Sequence, residues 1–229
     1  VASGLRQRIV TALLLAVALV AVLFWLPAGF AVAAVMAVVA AGAWEWAGFA
    51  GLTRTPGRLV YLIAIMLAIA AAWQLTGTVQ ARHTFLVATG LWWLGALAWV
   101  VLAPGRGNPV TAAVAGFAVL VPAAVSLARL VLQEPGGQHL LFFLVALIAA
   151  ADVGAYFGGR RFGRRKLAPR VSPGKTWEGF FSGFVGALLV AAVGGRLFGF
   201  FGLPWLAVCV VVVLASVVGD LVESMFKRR

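Results

Sequence analysis

Three short polar segments interrupt an otherwise apolar chain, and each contains residue types suited to phosphate or metal chemistry. In "GDLVESMFKRR", Asp220 and Glu223 stand three apart, so on a helix their carboxylates share a face, which Ser216 and Lys227 extend by a turn in either direction. Two ionised carboxylates that close would repel, and a divalent cation resolves the repulsion. Hard oxygen ligands favour Mg²⁺ or Ca²⁺, and no Cys/His set for zinc is present. The simpler alternative is that both acids pair with Lys227 and Arg228 at the membrane surface. Carboxylates within a membrane-spanning segment are costly, however, and usually serve a function.

The second segment, "AADVGAYFGGRRFGRRK", places Asp152 and Tyr156 one helical turn apart, followed by glycines that allow close backbone approach or a tight helix exit. Arg160, Arg161, Arg164, Arg165, Lys166 and Arg170 come next. An orientation signal accounts for most of them, and a phosphate-rich substrate would use only one or two. The third segment, "SPGKTWEG", resembles a phosphate loop at its "GKT". That motif requires a glycine where Pro169 stands, and no strand precedes it, so the reading fails. What remains is a turn whose Ser172, Lys175 and Thr176 could bind phosphate oxygens near a helix N-terminus. Glu178 suits the first turn of that helix, although Lys175 occupies the position where a capping box would need Ser or Thr. Trp177 reads as an interfacial anchor.

These segments must be held by a membrane bundle. The chain is 64% hydrophobic with a mean hydropathy of +1.08, and only 10% of its 229 residues are charged. A soluble domain carries about a quarter charged residues. A span needs about 20 apolar residues. Eight stretches qualify, at 9–26, 29–50, 59–75, 83–102, 110–132, 138–158, 179–202 and 203–226, separated by Pro27, "RTPGR", "PGRGNP", "EPGG" and "GLP". The expected fold is therefore all-α, a polytopic integral membrane protein of about eight transmembrane helices. Cys209, the one cysteine, lies within an apolar run and reads as a buried structural thiol. No internal repeat is evident.

Charge sets the orientation. The formal net charge of +12 would suggest nucleic acid on a soluble protein, but here the positive-inside rule explains it, so no nucleic-acid partner is expected. With the N-terminus inside, every Lys and Arg, including Arg6, Arg8, Arg106 and Arg229, falls on one side except Arg82, Arg129 and Arg196. Every acid except Glu134 falls at that same level, which suggests one cytoplasm-facing polar site. Glu45 reads as a snorkelling interfacial acid. His83 and His139 fall on the far side, away from the acids, and Trp92 and Trp93 read as lipid-facing or packing residues.

"ADVGAYFGGRRFG", "SPGKTWEG" and "SVVGDLVESMFKR", in this order along the chain, resemble the phosphatidate cytidylyltransferase (CDP-diacylglycerol synthase) family. "LRQRIVTALLLA" and "GAWEWAG" resemble its opening helices. The resemblance implies transfer of CMP from CTP to phosphatidic acid in phospholipid biosynthesis, assisted by Mg²⁺, with a second cation possible. It implies that Asp220, Glu223 and Asp152 hold metal, with Asp220, Asp152 and Lys175 as the catalytic set. Ser172, Lys175, Thr176 and Tyr156 would contact phosphates, with Glu178 orienting them, and Ser224, Lys227 and Arg228 match the start of the C-terminal signature. CTP, phosphatidic acid and membrane lipids are the implied partners, with a homodimer in a bacterial inner membrane.

Residues 1–148 would then form an N-terminal bundle of helices 1–5 and the start of helix 6. Residues 149–229 would form the catalytic region, from the end of helix 6 through a cytoplasmic loop to helices 7 and 8. The family signature continues past "S-x-x-K-R", so the chain reads as a fragment with a ninth helix expected; the alternative is an inactive truncation. Two rival functions share some of these features: a CTP-dependent lipid-alcohol kinase of polyprenol or phytol type, and a cation-coupled transporter. A transporter would place its acids near the bilayer midplane in repeated halves, unlike the pattern here.

Overall fold

The computed structural model describes residue 14 and residues 16–104, 107–200 and 202–228. Among the described residues eight helices follow one another: α1 (Ala16–Trp25), α2 (Ala28–Phe49), α3 (Thr55–Leu75), α4 (Val79–Leu102), α5 (Pro109–Gln133), α6 (Gly137–Phe162), α7 (Trp177–Phe198) and α8 (Leu203–Lys227). Among the described residues, α2 to α8 are each long and apolar enough to cross a membrane. The expected first span at 9–26 lies partly outside the described residues, as do Arg6, Arg8, Arg106 and Arg229.

The helices begin and end where local chemistry dictates. Asn108 and Thr111 form a reciprocal cap at the start of α5, each side chain accepting from the other's backbone N–H at 2.8 Å. The end of α7 differs from expectation. It stops at Phe198, not 202, because Gly199 takes a left-handed conformation (φ 70°) that closes the helix.

Among the described residues three hydrophobic clusters hold the bundle: one joins Leu23, Ala31, Val131 and Leu141 of α1, α2, α5 and α6, and the two others frame the site. In the larger, α2, α3 and α5 surround Trp46 and Tyr61, whose polar atoms donate to the α5 carbonyls of Ala112 (2.7 Å) and Ala113 (2.8 Å). Phe226 near the end of α8 packs edge-on or tilted against Trp46 and Trp99, which ties α8 to α2 and α4. Trp92 and Trp93 pack against this core. In the smaller, α6 and α7 meet through small residues. A Cβ on Gly154 would stand 2.8 Å from the Ser182 carbonyl, and one on Gly179 would stand 2.8 Å from that of Ala155. Gly154 and Gly158 on α6 thus face Gly179, Ser182 and Gly183 on α7, a small-xxx-small interface in which the absent side chains let the backbones touch.

One feature departs from an all-helical chain. Between α6 and α7 lies a short antiparallel hairpin, β1 (Lys166–Ala168) paired with β2 (Ser172–Thr176). The "SPGKT" segment, expected as a turn, is therefore a strand that leads directly into α7. Val171 at the hairpin tip is only 3% exposed and joins the larger core, so the hairpin is anchored against the bundle.

Candidate functional site

The ends of α6 and α8, the start of α7 and strand β2 converge at one end of the bundle. Each carries a polar residue that the apolar packing alone cannot explain. On α6, Asp152, Tyr156 and Arg160 follow at intervals of four and line one face. On β2, Lys175 and Thr176 have opposite fates. Thr176 is buried, and its Oγ1 accepts from Gly179 N at 3.1 Å to cap α7. Gly159 and Gly163 make room for it, since a Cβ on either would lie 3.2 Å or 2.9 Å from Thr176 Oγ1. Lys175 reaches across to α8, where its Nζ donates to Asp220 Oδ2 at 2.7 Å.

Together Asp152, Tyr156, Arg160, Lys175, Thr176 and Asp220 line a cavity of about 500 Å³. Its remaining wall is small or apolar, including Gly179, Gly183 and Phe184. The Asp152 side chain makes no hydrogen bond or ion pair with another described residue, although the charges of Asp220 and Lys175 both reach it. Arg160 Nη1 donates to the Tyr156 hydroxyl at 3.2 Å, which holds a guanidinium along the α6 wall. Phosphate oxygens would meet Lys175 and Arg160 here, and a hard cation would meet the two carboxylates.

A second cavity, of about 550 Å³, adjoins the first and shares Leu167, Phe180 and Val217 with it. Leu97 and Val101 of α4, Leu214 and Leu221 of α8, and the hairpin complete an apolar lining in which Arg170 is the charged member. A polar and an apolar compartment thus lie side by side across the hairpin.

Several expected site residues lie elsewhere. Glu223 does not line the cavity and pairs with Lys227 one turn later, at 2.5 Å. Three apart on a helix leaves it about 60° from Asp220, enough to turn it from the α6–α7 side. Among the described residues no three His, Cys, Asp or Glu side chains group closely enough to hold a metal, so the expected set of Asp152, Asp220 and Glu223 is not assembled. Glu178 serves the backbone: its carboxylate accepts from the amides of Arg164 (3.0 Å) and Arg165 (3.2 Å). It thereby fastens the exit of α6 to the start of α7. Ser172, Ser224 and Arg228 do not line the cavity either. Ser216 donates to the Val213 carbonyl of its own helix. Arg160 was passed over among its cationic neighbours, and the four-residue spacing from Tyr156 was the signal that could have singled it out.

The model of the cytidylyltransferase family matches residues 6–229. The phosphatidate cytidylyltransferase of Pseudomonas aeruginosa is 38% identical over 243 residues, covering 98% of this chain and 84% of that protein. The Haemophilus influenzae protein of the same name is 43% identical over 138 residues, covering 53% of this chain and 46% of its own. That of Mycobacterium leprae is 37% identical over 118 residues, 48% of this chain and 36% of its own. No solved structure matches. On a family match that spans nearly its whole length, and with polar residues gathered where nucleotide and lipid phosphates could meet, the chain belongs to the cytidylyltransferase family.

Proposed function

We propose that this protein transfers CMP from CTP to phosphatidic acid, giving CDP-diacylglycerol and pyrophosphate. The observation that carries the reading is the Lys175–Asp220 pair in a polar cavity that abuts an apolar one. A phosphate oxygen of phosphatidic acid attacks the α-phosphorus of CTP, and the bond from that phosphorus to the pyrophosphate oxygen breaks. Such a transfer needs positioning and charge stabilisation more than a covalent nucleophile. Lys175 and Arg160 supply positive charge for phosphate oxygens, and Tyr156 orients Arg160. The apolar cavity lined by Leu97, Val101 and Leu214 suits an acyl chain of the lipid.

The donor set fits Mg²⁺. Asp152 has no hydrogen-bonding or ion-pairing partner among the described residues and lines the same cavity as Asp220, and both offer hard oxygen ligands. Mg²⁺ is commonly held by one or two carboxylates together with substrate phosphates, so a third protein acid is not required. Asp152 and Asp220 would hold it, with Glu223 outside the ligand set. When bound, it would offset the negative charge of the triphosphate. Lys175 and Asp220 compensate one another in the ligand-free protein. CTP phosphates would draw Lys175 away and leave Asp220 available as a ligand.

The relatives reported above favour this reading over a lipid-alcohol kinase or a transporter. The arginine distribution supports a site facing the cytoplasm in a bacterial inner membrane, and the family resemblance supports a homodimer. Purified full-length protein supplied with CTP, Mg²⁺ and phosphatidic acid should form CDP-diacylglycerol. Phosphorylation of a lipid alcohol with no CDP-diacylglycerol would overturn the proposal.

A further inference from the structure

The opposite end of the bundle carries a second polar cavity, of about 410 Å³, formed by the end of α3, the start of α4 and the end of α5. Because α6 begins where α5 ends and reaches the site only at its far end, this cavity lies at the other membrane surface. Arg82 and Arg129 meet there. Both guanidiniums donate to the same neutral acceptor, Gln133 Oε1, at 2.9 Å and 3.1 Å. Two positive charges are thus drawn together over one amide oxygen, within reach of each other's field.

Arg129 is held in place by further contacts. Arg129 stacks on the Trp73 ring at 4.3 Å, and its Nη2 donates to the Trp73 carbonyl (2.7 Å) and to Thr76 Oγ1 (2.8 Å). Its Nε is buried and has no hydrogen-bond partner among the described residues. Glu134 lines the same cavity, yet neither arginine forms an ion pair with it or with any other acid among the described residues. Arginine is disfavoured at the far surface by the positive-inside rule, so two fixed beside each other without a counter-charge call for an anion. Planar forks that share an acceptor suit the several oxygens of a phosphate. The surrounding lining includes Val79, 74% exposed, and Leu86, 55% exposed, which would face acyl chains.

We propose that Arg82 and Arg129 form a binding site for the phosphate group of an anionic phospholipid in the leaflet opposite the candidate active site. The experiment compares the purified full-length protein with R82Q and R129Q in detergent. Each is titrated with phosphatidylglycerol, with phosphatidylcholine and with inorganic phosphate, and thermal unfolding is followed. Phosphatidylglycerol should raise the midpoint saturably in the parent protein and at least threefold less in R82Q, with phosphatidylcholine giving little shift. R82Q breaks only an inter-helix hydrogen bond, so it keeps the test open if R129Q does not fold. CDP-diacylglycerol formation should persist in R82Q, since the site is remote from the catalytic cavity. An equal shift in R82Q and the parent, or no shift with phosphatidylglycerol, would overturn the site. A shift with inorganic phosphate alone would overturn its assignment to a lipid.

Discussion

Lys175 on strand β2 and Asp220 on helix α8 are joined at 2.7 Å across 45 positions of sequence. The pair links the hairpin to the last helix at the mouth of the polar cavity. On the proposed function each partner would have a role beyond the pair, one toward phosphate and the other toward a cation. Removing either charge should therefore impair turnover more than it impairs folding. K175M is expected to lower the rate of CDP-diacylglycerol formation by about 10²- to 10³-fold, the usual effect of deleting one preorganised electrostatic contact. Its thermal midpoint should change little, because the pair is partly exposed and such pairs contribute little to stability. A large loss of stability with residual activity near the parent's would assign the pair to structure.

Glu223 provides the contrast. It is turned toward Lys227, and an i,i+4 pair of this kind at a solvent-exposed position is weak. E223Q should retain CDP-diacylglycerol formation within about threefold of the parent, whereas D152N and D220N should each lose about 10²-fold or more. Steady-state rates over a Mg²⁺ titration make the comparison. An E223Q protein as impaired as D220N, with a raised Mg²⁺ requirement, would return Glu223 to the ligand set.

The α6–α7 seam predicts a compensating pair. A Cβ on Gly158 would fall onto the side chain of Ser182. G158A should lower the thermal midpoint through the overpacking of a tight helix contact, at a cost of about 1–3 kcal/mol. S182G removes the obstructing atoms, so the double variant should recover most of the loss. Fluorescence-monitored unfolding of the four proteins gives the coupling. Simple additivity of the two single effects would contradict the contact.

Glu178 acts at a distance from the reacting atoms. E178Q keeps the shape of the side chain but removes the negative charge that accepts from the Arg164 and Arg165 amides. Hydrogen exchange at these two amides should accelerate, and turnover should fall by up to about 10²-fold as Lys175 loses its position. Unchanged exchange with unchanged turnover would show that the hairpin is held by Val171 and strand pairing alone.

Much of this was legible in the sequence, for reasons that differ between elements. The spans were readable because apolar length and Pro/Gly punctuation are local properties. The end of α7 at Gly199 turned on a backbone angle that composition does not specify, and α6 runs four residues past the expected 158, to Phe162. Asp152, Lys175 and Asp220 stand out in the sequence because polar groups in apolar surroundings need a reason, and all three line one cavity. The hairpin was missed because five residues of strand with a Pro-Gly inside lack the alternation that marks a longer one. Glu223, expected with Asp220, lies off the cavity for a subtler reason. The i,i+3 spacing gives proximity to Asp220 but does not decide which neighbouring helix each carboxylate faces. Lys227, a turn beyond, settled that. Glu178 was expected near phosphate, and the backbone amides that occupy it belong to a turn whose path the sequence does not reveal.

Transfer of CMP to phosphatidic acid is the proposed reaction. The most direct measurement supplies full-length protein with CTP labelled at the α-phosphate, phosphatidic acid and Mg²⁺, and follows label into lipid, with D220N and K175M in parallel. The expected result is labelled CDP-diacylglycerol from the parent protein, a loss of about 10²-fold or more in both variants, and dependence on phosphatidic acid. Label that stays in water-soluble nucleotide with the parent protein, or D220N and K175M as active as the parent, would contradict it.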